Sequence, residues 1–112
     1  MNTDELEAGP QMDALVAEKV MGWSIRGELW KDKRGTIRRS KSTFEQYEPS
    51  IRWSPSTDIA AAWEVVEKMP MGMWPSVDGW VVEIPDGSGD EVEAPTAPLA
   101  ICRAALKAIE RG

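Results

Sequence analysis

Positive charge is concentrated in one short stretch of this sequence, KDKRGTIRRSK at residues 31–41. These eleven residues hold six of the thirteen Lys and Arg residues, although the 112-residue chain has a formal net charge of −6. Clustered cations neutralise phosphate or carboxylate, and the preceding Trp30 could stack on a base or anchor a protein contact. The candidate partner-binding residues are therefore Trp30, Lys31, Lys33, Arg34, Arg38, Arg39 and Lys41. The alternative interpretation is a charged hairpin that simply faces water.

The charge asymmetry extends beyond this cluster. From Arg26 to Arg52 there are eight basic and four acidic residues, a net charge of +4. The rest of the chain has five basic and fifteen acidic residues, a net charge of −10. This pattern is typical of a cationic patch on an anionic body.

No residue pattern in the sequence indicates catalysis. The chain has no His, which removes the usual general base near neutral pH and the commonest metal ligand. Its single Cys cannot form a zinc site alone, and Cys102 has no His partner that would activate it as a nucleophile. The PDGSGD stretch at residues 85–90 lacks the lysine of a phosphate-binding loop and the bidentate Glu of a calcium loop. We expect no enzyme activity, no cofactor and no metal.

The segment around the basic cluster reads as strands. Trp23, Ile25 and Leu29 alternate with polar residues, which predicts a strand with these three on its buried face. Trp30 has the opposite parity, so it is expected to point away from the core. Lys31 to Gly35 reads as a hairpin loop, and the return strand is expected to begin at Thr36.

Three further segments have helical periodicity. Met12–Met21 places Met12, Leu15, Val16 and Val20 on one face. The next helix spans residues 56–69, with Ser56 as its N-cap and Ile59, Ala62, Trp63 and Val66 on the core face. The third runs from Pro98 to about Glu110, with an apolar stripe of Leu99, Cys102, Leu106 and Ile109.

Strands are expected between the last two helices. Residues 73–84 read as two short pieces, with Trp80, Val82 and Ile84 on one face, and residues 91–93 read as a charged edge strand. The order of helices and strands predicts an α+β fold with a small antiparallel or mixed sheet covered by helices. We expect one domain at residues 11–112, preceded by a frayed tail at residues 1–10.

Three blocks resemble the signature blocks of a family of small phage proteins, the phage ABA-sandwich domain family. They are MDALVAEKVMGW at 12–23, STDIAAAWEVVEKM at 56–69 and APLAICRAALKAI at 97–109. The resemblance implies an α-β-α sandwich and a bacteriophage or prophage origin. It implies no activity, and residues 24–55 are the least similar to the family pattern.

Two function classes fit these observations. The first is a non-catalytic phage accessory protein that binds a host protein, with inhibition of a host defence or regulatory protein as one form. The second is a module that binds a phosphate-bearing nucleotide or nucleic acid through residues 31–41, although a net charge of −6 weighs against unaided DNA binding. No apolar run is long enough to cross a membrane, and the acidic N-terminus does not resemble a signal peptide, so the expected location is the cytoplasm of the bacterial host.

Overall fold

The computed structural model describes residues 7–26, 29–31, 37–39 and 51–111. Over these ranges the chain forms helices and strands in the alternating order that the sequence predicts, and the α+β class is confirmed. The helices are α1 (Pro10–Leu15, continued by a π-helix over Val16–Val20), α2 (Ile59–Lys68) and α3 (Ala97–Arg111). The strands are β1 (Ser24–Arg26), β2 (Leu29–Lys31), β3 (Ile37–Arg39), β4 (Ile51–Arg52), β5 (Met73–Ser76), β6 (Gly79–Glu83) and β7 (Glu91–Ala94).

The strands belong to two sheets rather than one. The first sheet has the order β1-β2-β3-β4, with antiparallel pairing up to β3 and parallel pairing between β3 and β4. The sequence pattern predicts one strand from Trp23 to Leu29, and this prediction is wrong because the chain reverses between Arg26 and Leu29. The predicted return after the basic loop is correct, since β3 runs antiparallel to β2.

The second sheet is the antiparallel meander β5-β6-β7. Its inner face contains Val82, Val92 and Ala94, which are buried, with Met73 and Trp80 packed against them. Pro75 lies in the edge strand β5, where a residue without an N–H is tolerated.

Helix α3 is the central element of the core. It contacts β6 and β7 of the second sheet, and it also contacts α2 and the π-helix. Its buried residues exceed the predicted stripe because Ala100, Ile101 and three further alanines are also enclosed. A helix that is apolar around most of its circumference is expected to be packed on several sides. Ile109 departs from the predicted stripe and is 39% exposed.

Helix α2 packs its small residues inward. Ala61, Ala62 and Val65 are buried, whereas Ile59 and Trp63 are each 51% exposed, so their predicted core positions are wrong. Small side chains allow close approach to the alanine-rich α3, and this contact determines which face of α2 is buried.

The N-cap of α2 also differs from the prediction. Asp58 caps the helix, and its carboxylate accepts a hydrogen bond from the Ala60 backbone N–H. Ser56, the predicted cap, is buried and accepts a hydrogen bond of 2.9 Å from the Gly9 backbone N–H. Ser56 therefore joins the start of α1 to the approach to α2.

Candidate binding surface

The predicted binding residues fall on two strands of the first sheet and on the segments beside them. Trp30 and Lys31 lie in β2, and Arg38 and Arg39 lie in β3. The remaining three candidates, Lys33, Arg34 and Lys41, lie outside the described residues.

The strand register separates the four placed candidates into two faces. Trp30 pairs with Arg38, while Lys31 pairs with Ile37 and Arg39 pairs with Leu29. Directly paired residues share a face of a sheet, and successive residues alternate between faces. Trp30 and Arg38 therefore share one face, and Lys31 and Arg39 share the other.

The register also shows that the parity argument for Trp30 is wrong. Ile25 is the direct partner of Trp30, so both positions lie on the same face of the first sheet. Odd- and even-numbered residues lie on opposite faces only along one continuous strand. Between β1 and β2 the chain direction reverses, and odd-numbered Ile25 then lies on the same face as even-numbered Trp30.

Four basic positions share the face that contains Lys31 and Arg39. Arg39 pairs with Arg52 across the parallel β3–β4 contact, and Arg26 pairs with Leu29 on the far side of β2. One row across the sheet thus reads Arg26, Leu29, Arg39 and Arg52, and Lys31 lies in the neighbouring row. We call Arg26, Lys31, Arg39 and Arg52 the cationic face; none of the described strand positions on that face is acidic.

The spacing of the cationic face follows from strand geometry. Adjacent strands lie about 4.8 Å apart, so Arg39 and Arg52 are immediate neighbours and Arg26 lies about 10 Å from Arg39. Like charges at directly paired positions destabilise a sheet. A bound anionic group would offset this repulsion, and Arg guanidinium groups bind carboxylate and phosphate in bidentate geometry.

Two tryptophans connect the first sheet to the core. Trp23 directly precedes β1 and Trp53 directly follows β4; both are buried, with ring centroids 4.4 Å apart and planes tilted by 55°. The Trp53 indole N–H also donates a hydrogen bond of 2.6 Å to the Glu64 carboxylate of α2. The outer strands of the sheet are therefore fixed at their core ends, which positions the cationic face relative to α2.

Arg26 and Arg52 are the residues of this face that the sequence analysis did not select. They are separated by 25 residues and lie outside the dense cluster at 31–41. The signal that could have found them is the longer segment of net positive charge, because Arg26 and Arg52 are its two ends.

Cys102 is a core residue. It is fully buried, and desolvation raises the pKa of its thiol well above the ordinary value, with a further contribution from the negative charge of Asp13. A thiol in this setting is a poor nucleophile. Among the described residues, no group of three or more Cys, Asp or Glu side chains is arranged to hold a metal ion.

The PDGSGD loop binds a side chain of the protein itself. Arg111 Nη1 lies 2.9 Å from Asp90 Oδ2 and 3.4 Å from Asp86 Oδ2, and it donates to Ser88 Oγ at 3.3 Å. Asp86 also accepts a hydrogen bond from the Ser88 backbone, and its contacts with Ser88 and then Arg111 lower its pKa. The loop is therefore closed onto the C-terminal end of α3.

The helices and the two sheets define a small α+β domain. A family model for the phage ABA sandwich domain matches residues 14–106, and the chain belongs to this family. A similar solved structure is a 2.0 Å crystal structure of a phage protein from Bacillus cereus ATCC 14579. It has a TM-score of 0.62 and 26% sequence identity, and the match covers 90% of this chain and 86% of that chain. No curated protein has a significantly similar sequence.

None of the helices in the described ranges is both long and apolar enough to cross a bilayer.

Proposed function

We propose that this phage protein is a non-catalytic accessory factor whose cationic face binds an acidic surface of a host protein. The supporting observation is the register of the first sheet, which places Arg26, Lys31, Arg39 and Arg52 on one face. Electrostatic complementarity of this kind gives orientation and a fast association rate more than raw affinity.

The distribution of charge supports a protein partner. The chain is strongly acidic outside the segment from Arg26 to Arg52, so a long polyanion would be repelled by most of the surface. A folded host protein with one acidic patch would contact only the cationic face. Salt limits the reach of the surrounding negative charge to about 8 Å at physiological ionic strength.

We further propose that the partner is a defence or regulatory protein in the cytoplasm of the bacterial host. Binding of the cationic face inhibits or redirects this protein. The absence of His from the chain and the burial of Cys102 support a role without catalysis, since the chain has neither an imidazole base nor an accessible thiolate.

A phosphate-bearing nucleotide or nucleic acid is the second candidate. Arg39 and Arg52 occupy directly paired strand positions, and arginine binds phosphate as well as carboxylate. A single nucleotide needs only this local patch, so the acidic remainder of the chain opposes it less than it opposes DNA.

The test is affinity capture from nuclease-treated host lysate with two charge-matched variants. R39S/R52S removes two cations from the cationic face, and K19S/K68S removes two exposed cations from helices elsewhere. A specific host protein should be retained by the parent and by K19S/K68S and lost from R39S/R52S.

Other outcomes of the capture experiment would contradict the cationic face or favour a nucleotide or nucleic acid. Equal retention by both variants would contradict the assignment of the cationic face. Capture that occurs in untreated lysate but not in nuclease-treated lysate, or direct nucleotide binding measured by calorimetry and lost in R39S/R52S, would favour the second candidate.

A further inference from the structure

The outer face of the second sheet carries the opposite charge. Val81 pairs with Trp74 on one side and with Glu93 on the other, and Glu83 pairs with Glu91. By strand alternation all five lie on the face opposite Val82 and Val92. We call Trp74, Val81, Glu83, Glu91 and Glu93 the acidic face.

The acidic face is open to solvent. Helix α3 packs on the other side of this sheet. Glu83, Glu91 and Glu93 are exposed, and Trp74 is 40% exposed. Within the described part of the chain, none of these three carboxylates takes part in an ion pair.

The stability of the second sheet does not explain the residues of the acidic face. Glu83 and Glu91 are like charges at directly opposed positions, which is a destabilising arrangement. An exposed Trp beside carboxylates suits a guanidinium, which can lie over the indole ring while it pairs with an acid.

We propose that the acidic face binds the cationic face of a second copy of this chain. The two faces of one chain are complementary in charge: three carboxylates and a Trp lie on one sheet, and three arginines and a lysine lie on the other. The two faces belong to different sheets, so the contact is head-to-tail and each copy can bind two neighbours. The proposal uses the same cationic face as the proposed function, and self-association would therefore compete with the host partner.

The strength of this contact is limited by its size. The two faces consist of four and five residues, whereas a standard stable interface has about 20–30 residues on each side. The association should therefore be weak, dependent on concentration and strongly reduced by salt.

The experiment is sedimentation velocity of the full chain from micromolar to millimolar concentration, in about 0.1 M and about 0.5 M salt. The parent should shift to larger species at high concentration in the lower salt only. The acidic-face variant E83K/E91K/E93K should weaken self-association about tenfold or more.

Two further variants make the result specific. The cationic-face variant R26E/R39E/R52E should weaken self-association to a similar extent, but an equimolar mixture of the two reversed variants should associate again because each supplies the face that the other lacks. The charge-matched control E18K/E67K/D78K changes exposed acids outside the acidic face, keeps both faces and should self-associate as the parent does.

The outcomes separate this inference from the proposed function. A parent that stays monomeric at all concentrations, association insensitive to salt, or reversed variants that fail to associate as a mixture would overturn it. The host-capture experiment is then repeated with E83K/E91K/E93K, which keeps the cationic face. Capture of the host protein by this variant supports the proposed function even if the parent does not self-associate.

Discussion

Asp13 is a carboxylate inside an apolar core. Its side chain is 1% exposed, and Oδ1 accepts a hydrogen bond of 2.9 Å from the Ser56 backbone N–H. Burial raises its pKa above the ordinary value of 3.8, while hydrogen bonds from Ser56 lower it. Asp13 thus provides an acceptor that joins α1 to the segment before α2, and the cost is a buried group that resists ionisation.

This cost should be visible as a dependence of stability on pH. Because the folded-state pKa is raised, the penalty is absent below pH 3.8, grows as pH rises towards the folded pKa and is constant above it. D13N keeps an oxygen acceptor for Ser56 and cannot ionise. Relative to D13N, the parent should therefore lose stability as pH rises through this window.

The measurement is urea unfolding of both proteins from about pH 3.5 to about pH 7. Asp86 contributes in the opposite direction, because its lowered pKa favours folding at pH values above its ordinary pKa. Both proteins contain Asp86, so its contribution cancels in the comparison of the parent with D13N. A free-energy difference between parent and D13N that does not change with pH would show that Asp13 ionises as freely in the folded protein as in the unfolded chain.

At the scale of elements, α3 organises the core because it packs on both the second sheet and α2. Leu106 is 4% exposed on this helix, whereas Ile109 is 39% exposed. Leu106→Ala should lower the free energy of unfolding by about 2–5 kcal/mol because it leaves a cavity.

Ile109→Ala is the matched control one turn away, and it should cost less than about 1 kcal/mol. Chemical denaturation of both variants gives the comparison. Similar losses in the two variants would mean that the burial of α3 is wrongly assigned.

Strand β6 depends on a glycine for close approach to the chain after β7. A Cβ on Gly79 would collide with the backbone carbonyl of Ala94 and lie 2.8 Å from Pro95 Cα. Backbone atoms cannot move aside as a flexible side chain can, so Gly79→Ala should destabilise the protein by about 1–3 kcal/mol.

Gly72→Ala is the control for this effect. The added Cβ would make only an ordinary contact of 3.9 Å with the Trp74 ring. Thermal melting should therefore separate the two alanine variants, and equal melting temperatures would contradict the close approach at Gly79.

Periodicity alone was enough to predict much of this fold. The α+β class, the edge strand β7, the start of α3 near Pro98 and the inward face of β6 follow from apolar spacing and turn residues. These features depend on local patterns that tertiary contacts do not overturn.

The sequence-based predictions were wrong or incomplete where tertiary packing or strand register determines the structure. The buried face of α2 is determined by its close packing against α3. This packing encloses the small residues Ala61 and Ala62 and leaves the larger Ile59 and Trp63 half exposed. The cationic face could not be found from one segment because Arg26 and Arg52 reach it through two different strand pairings.

At the scale of the whole molecule, the two sheets separate opposite charges. The first sheet presents the cationic face, and the second presents the acidic face, with α3 packed behind the second sheet. Neither arrangement helps folding, because each contains directly paired like charges. We therefore propose that both faces contact other molecules, and the cationic face is central to the proposed function.

The most direct test of that claim is the affinity of the captured host protein for the parent, R39S/R52S and K19S/K68S at two salt concentrations. We expect R39S/R52S to melt no lower than the parent, because a like-charge pair has been removed, and to bind about tenfold or more weakly with a smaller salt dependence. K19S/K68S should bind as the parent does. Parent-like affinity and salt dependence in R39S/R52S would contradict the cationic face as the binding surface.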